Sequence, residues 1–204
     1  MDCRVLLVEG LDELHALSAL FQAHHIPDTF KIEVAGGVEK LLESIPVRLK
    51  ASNLERFAVV LDADESIQQR WDQLKGRLSA FAAAEIPEVP APTGTVIAFP
   101  DGLTVGAWIM PDNHVPGMLE NFLTFLVSDQ DKLLPLVDQF LNGIPAEIRR
   151  CPEIRRPKSR IHSWLALQEH PGKPLGQAVT AKYLDAHTPI VKPFLDWITK
   201  MFVD

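Results

Sequence analysis

Phe57-Ala58-Val59-Val60-Leu61 is the most apolar and β-branched run in the chain, and it stops at Asp62-Ala63-Asp64. It reads as a strand buried on both faces that delivers two carboxylates to the edge of a sheet. Upstream, Arg4 to Val8 is a second such run, ended by Glu9-Gly10. Asp12 is placed to cap the following helix, which carries Leu14, Leu17, Leu20 and Phe21 on one face and stops near His24-His25-Ile26, before Pro27. Phe30 to Val34 reads as another strand, Gly36-Gly37 as a turn, and Val38 to Lys50 as a helix kinked or broken at Pro46. Ile67 to Ile86 is again helical. Strands alternating with helices predict a parallel sheet covered on both faces.

The pattern changes after residue 86. Pro87, Pro90 and Pro92 form an irregular connector to Gly94. Thr95 to Phe99 and Leu103 to Met110 predict a hairpin turning at Pro100-Asp101-Gly102. Beyond Asp112-Asn113 the chain reads as helices over Met118 to Val127, Lys132 to Leu141, Ser159 to Leu167 and Pro189 to Phe202. The expectation is one α/β domain over residues 1–204, with a core at 1–86 and a hairpin and helical extension at 87–204.

Ligands of an open parallel sheet sit beyond the carboxyl ends of its strands. With the first and third strands as neighbours, Glu9 meets Asp62 and Asp64 there. Residues two apart on an extended segment project the same way, so both aspartates can face one ion. Magnesium takes oxygen ligands, a few of them carboxylates, and completes its shell with water and phosphate; manganese can substitute for it. The competing explanation of each carboxylate is a helix cap or a solvated turn. Arg149, Arg150, Arg155, Arg156, Lys158 and Arg160 crowd one short stretch. They read either as a solvated charged connector or as a group meeting phosphate oxygens. Trp108, Trp164 and Trp197 sit among apolar residues and are expected in the core. His162 is expected to be a partly buried helix residue.

The whole chain limits the function classes. With 47% apolar and 23% charged residues it is an ordinary globular composition, and no run is long and apolar enough for a spanning helix. The start, Met-Asp-Cys running into an apolar strand, gives no support to a signal peptide. Cys3 and Cys151 lack metal-type spacing and suit a reducing cytoplasm. A net charge of −7 argues against non-specific coating of nucleic acid, though a local basic patch can still guide phosphate. No Gly-x-x-x-x-Gly-Lys-Ser/Thr loop is present, so ATP hydrolysis would have to come from another chain.

Val8-Glu9-Gly10, an acidic helix start and a later strand ending in Asp62-x-Asp64 resemble the Toprim domain of topoisomerases, bacterial primases and overcoming-lysogenization-defect (OLD) nucleases. Glu13, four residues after Glu9, is closer to the OLD pattern. Gly106-Ala107-Trp108-Ile109-Met110-Pro111-Asp112-Asn113, Gly117-Met118-Leu119-Glu120, Leu165-Ala166 and Pro171-Gly172-Lys173-Pro174-Leu175-Gly176 resemble a prokaryotic family of stand-alone OLD/Toprim-like proteins. The resemblance implies a Toprim-like α/β fold and a metal site. Glu9 would be a ligand or proton-transfer group, Asp62 and Asp64 the metal pair, and Glu13 and Glu120 further ligands. Lys158 would stabilise charge in the transition state, with Arg155, Arg156 and Arg160 on phosphate.

Three functions compete on these residues. The first is a metal-dependent phosphodiesterase acting on DNA or RNA through two ions roughly 3.5–4 Å apart. The second is a non-catalytic module that binds nucleotide or nucleic acid or docks on an AAA/ABC-type ATPase. The third is an enzyme acting on a small phosphate ester or nucleotide-sugar. A second copy of the chain is a further expected partner; a membrane is not.

Overall fold

The computed structural model describes residues 3–79 and 85–203. Five strands, β1 (Arg4–Val8), β2 (Lys31–Val34), β3 (Arg56–Asp62), β4 (Thr95–Ala98) and β5 (Thr104–Met110), form one sheet in the order β2-β1-β3-β5-β4. β2, β1, β3 and β5 run parallel, and β4 closes one edge antiparallel to β5. The protein is therefore a mixed α/β fold with a mostly parallel sheet. β5 lies beside β3 along its whole length, from Arg56↔Thr104 to Asp62↔Met110. The second half of the chain thus supplies an interior strand of the sheet as well as an extension.

Side chains alternate between the two faces, as the period of a strand requires. Val5, Leu7, Phe57, Val59 and Leu61 enter one core with α2 (Val38–Arg48) and α3 (Ile67–Leu78). Leu6, Val8, Ala58, Val60 and Trp108 enter the other. That second core is covered by α1 (Leu11–Ala23), α4 (Leu119–Thr124), α5 (Leu133–Asn142), α6 (Arg156–Leu165), α7 (Leu175–Thr180) and α8 (Lys192–Phe202). Trp108, Trp164 and Trp197 are all buried there. Trp197 donates its ring N–H to the Thr95 carbonyl, 3.1 Å away, which ties α8 to the hairpin.

Several local expectations are corrected. The residue before α1 is Gly10 in extended conformation, and Asp12 lies exposed within the first turn instead of capping it. α2 runs through Pro46 without ending, because apolar Leu41, Leu42 and Ile45 hold it on the sheet. α3 is seen to Leu78; the part of that helix expected over 80–84 lies outside the described residues. α6 begins at Arg156, three residues early, with Pro157 in its first turn. His162 is exposed on it. α7 was not expected. It is only six residues long, and it packs on α1 because Gly176 has no side chain: a Cβ there would lie 2.6 Å from the His15 carbonyl oxygen.

Candidate metal centre at the carboxyl edge of the sheet

Strand register explains why two distant segments meet. Leu7 pairs with Val59, so Glu9 leaves β1 level with the end of β3. The Glu9 Oε1 accepts the Asp62 N–H at 2.9 Å. Its own carbonyl accepts the N–H groups of Gly36 and Gly37 at 2.9 and 2.8 Å. Both glycines have positive φ, 85° and 117°, which lets their N–H groups converge on one oxygen after β2.

The loop after β5 folds back across the end of β3. Asn113, 4% exposed, accepts the Ile109 N–H on Oδ1 at 2.7 Å. The Gly117 carbonyl accepts the Asp64 N–H at 2.8 Å. One residue pair later, the first N–H of α4, from Leu119, donates to Asp62 Oδ1 at 2.9 Å. This turn also carries Glu120 inward, where it is 1% exposed. Its Oε1 accepts from Lys158 Nζ at 2.7 Å, and its Oε2 is buried with no hydrogen-bond partner. Glu13, 8% exposed, comes from the first turn of α1. Gly10 leaves room for it, since a Cβ at that position would stand 3.0 Å from Glu13 Oε2.

Burial and mutual repulsion set the electrostatics. Burial pushes the Glu9 carboxyl up to about 7, against the Asp62 N–H and Arg70, which pull it down; Glu13 and Asp64 add to the rise. Glu13 is raised by burial and by Glu120. Asp62 is raised well above the usual aspartate value by burial and by the charges of Glu9, Glu13 and Glu120. Burial opposes the charge on Lys158, but Glu120, Asp62 and Glu13 outweigh it and hold the ammonium more firmly protonated. The five carboxylates and Lys158 therefore act on one another as a unit, and a divalent cation relieves the repulsion among carboxylates.

Asp64 departs from the expected geometry. The strand ends at Asp62, and Asp64 takes φ 53°, so the segment is not the extended chain on which two side chains two residues apart project the same way. Arg70 is the reason the loop holds this form. It is 9% exposed and donates Nε to the Asp62 carbonyl at 2.7 Å, one amino group to Asp64 Oδ2 at 2.6 Å and the other to Gln73 at 2.9 Å. Arg70 was missed in the sequence; its only signal was an arginine three residues into the helix that follows Asp62-x-Asp64. Among the described residues, no group of three or more His, Cys, Asp or Glu side chains is arranged as a ready-made metal-binding set.

The basic stretch is largely engaged within the chain. Arg160 makes a two-pronged pair with Asp138 at 2.6 and 2.7 Å, holding α6 to α5 and drawing the Asp138 carboxyl below its usual value. Arg156 bonds Asn142 and faces Glu153 at 3.8 Å, and Arg149 bonds Glu153 at 2.9 Å. The Arg150 and Arg155 side chains are exposed and form no hydrogen bond or ion pair with another described residue. Only Lys158 reaches the carboxylates. Ile154, next to Arg155, shares a polar hollow with Asp64, Ser66, Gln69, Arg70 and Gln73, which brings the stretch to the rim of the site.

No helix among the described residues is long and apolar enough to cross a membrane. No curated protein and no solved structure matches the chain. The model of a family described as "Protein of unknown function (DUF3226)" matches residues 3–203, so the chain belongs to that family.

Proposed function

We propose that this protein is a magnesium-dependent, phosphodiester-processing protein of the Toprim-like, OLD-nuclease type, acting on nucleic acid. The observation that carries the reading is Glu120 Oε2, a buried carboxylate oxygen with no partner, set among Glu9, Glu13 and Asp62. Buried acceptors are almost always satisfied, and an acidic one in acidic surroundings calls for a cation. The donors are all oxygens, at the carboxyl ends of parallel strands, and this chemistry fits Mg2+ or Mn2+. Glu9, Asp62, Glu13 and Glu120 would hold the ion, with Asp64 turned toward Arg70. A bound ion would polarise a phosphoryl oxygen and lower the pKa of a bound water.

The chain's own groups supply the rest. Asp62 is oriented by the first N–H of α4, and Glu9 is fixed to the Asp62 N–H, so the two carboxylates keep their spacing as substrate enters. Lys158, half-exposed at the mouth, presents its ammonium to developing negative charge on the reacting phosphate. Arg150 and Arg155 offer the charge that meets flanking phosphates. The test is cleavage of labelled DNA and RNA with Mg2+ or Mn2+. Cleavage abolished by chelator and by Asp62→Asn supports the reading; metal-dependent cleavage that survives Asp62→Asn overturns it.

One observation favours a second reading, a module that docks on a partner such as an ATPase. Leu136 and Phe140 of α5, together with Ile148, are 57–65% exposed, an unusual concentration of apolar surface. Co-purification with such a partner, lost in a Phe140→Ser variant, with no cleavage by either protein alone, would select it. We also assign the protein to the cytoplasm, because Cys3 and Cys151 are both free thiols.

A further inference from the structure

Two cations are already built into the carboxylate cluster. Arg70 meets Asp64 at 2.6 Å, and Lys158 meets Glu120 at 2.7 Å. Both sit on rigid supports. Arg70 is held by the Asp62 carbonyl and Gln73 as well, and Lys158 projects from α6, which the Arg160–Asp138 pair anchors to α5. Glu9, Glu13 and Asp62 are the members of the cluster with no ion pair to a described cation; Glu9 and Asp62 accept the backbone N–H groups of Asp62 and Leu119 instead. The carboxylates that hold the resident cations adjoin this group: Asp64 lies two residues after Asp62, and Glu120 follows Leu119, whose N–H binds Asp62.

We infer that the centre takes one divalent ion, on Glu9, Glu13, Asp62 and the unpartnered oxygen of Glu120, and that Arg70 and Lys158 occupy the electrostatic place of a second ion. The inference rests on the metal reading above and refines it. A two-ion centre sets its metals roughly 3.5–4 Å apart and needs carboxylates free to bridge or flank both. Here Asp64 and Glu120, the two that would serve the second ion, already carry a fixed positive partner. A second divalent ion would have to displace a guanidinium bound at three points or a half-exposed ammonium paired with a buried carboxylate, and it would be repelled by whichever cation stayed. Arginine and lysine can instead present their charge to phosphate oxygens directly. Glu120 Oε2, buried and without a hydrogen-bond partner, is left as a further ligand of the one ion or an acceptor for its water.

Titration of the metal-free protein with Mn2+ alone, followed by calorimetry and by loss of the free-Mn2+ electron spin resonance signal, tests this. The wild type is expected to bind one Mn2+ per chain. Arg70→Met and Lys158→Met, each checked for cooperative unfolding, are expected to bind two, because Asp64 or Glu120 is released as a ligand. Two variants at separate positions keep the test open if one fails to fold, and the wild-type count needs neither. Two ions on the wild type, or one ion on both folded variants, overturns the inference while leaving the metal reading intact. No Mn2+ binding by the wild type overturns the metal reading and this inference with it.

Discussion

Raising the pH from 5.0 to 7.5 in chelator should destabilise this protein, and Glu9 should account for much of the loss. The Glu9 carboxyl rises from 4.5 to about 7 on folding. Between those values the folded state binds a proton that the unfolded chain has released, so stability falls as pH rises across that window and levels off above it. At about 1.4 kcal/mol for each pKa unit the full effect is on the order of 3 kcal/mol. Glu9 keeps some contact with water, and screening reduces this to about 2 kcal/mol. Glu13 and Asp62 are raised as well and add to the same slope. Glu33 and Asp138, whose values are lowered, act with the opposite sign but below their ordinary values of 4.5 and 3.8, outside the window. Lys158 is raised above 10.5 and acts only in strong alkali. Urea unfolding should show a midpoint about 1 M lower at pH 7.5 than at pH 5.0. Glu9→Gln should flatten the slope by more than its own share, because it also removes a charge that raises Asp62. Saturating Mg2+ should restore stability at pH 7.5 far more than at pH 5.0. A wild-type midpoint that holds or rises between these pH values, or an unchanged slope in Glu9→Gln, would refute the reasoning.

Other perturbations probe single contacts. Lys158→Met strands a carboxylate that is 1% exposed and should cost about 2–4 kcal/mol in urea unfolding, with Lys158→Met/Glu120→Gln recovering part of it. Gly176→Ala should lower stability by about 1–3 kcal/mol and loosen α7, read as faster hydrogen exchange there, because the new methyl would meet the His15 carbonyl. Gly94→Ala should be at least as damaging, since Gly94 has φ +86° and its missing Cβ would fall on the Trp197 ring. Replacing Arg150 and Arg155 together by glutamate should weaken oligonucleotide binding about tenfold at low salt, measured by fluorescence anisotropy. Arg160→Ala should leave that affinity nearly unchanged, because its guanidinium is spent on Asp138.

Much of this architecture can be read from the chain alone. Five apolar segments, each broken by glycine, proline or acidic residues, mark the five strands, and the most apolar of them ends on the aspartates that matter. Glu9 and Asp62 meet as their strand-end positions imply, because adjacent parallel strands in register bring their carboxyl ends together whatever lies between. Local patterning could not reveal the partners. Whether Asp64 looks toward an ion or toward Arg70 depends on a backbone turn at φ 53° and on an arginine six residues downstream. Lys158 and Glu120, 38 residues apart, are joined only once α6 packs over α4. Arg160 and Arg155 are near neighbours in one basic run, yet the first is consumed by an ion pair and the second is exposed, since pairing is decided by which element lies opposite. Periodicity and turn chemistry fix where the chain is strand or helix; burial, charge pairing and the spare oxygen of Glu120 exist only where distant segments close on one another.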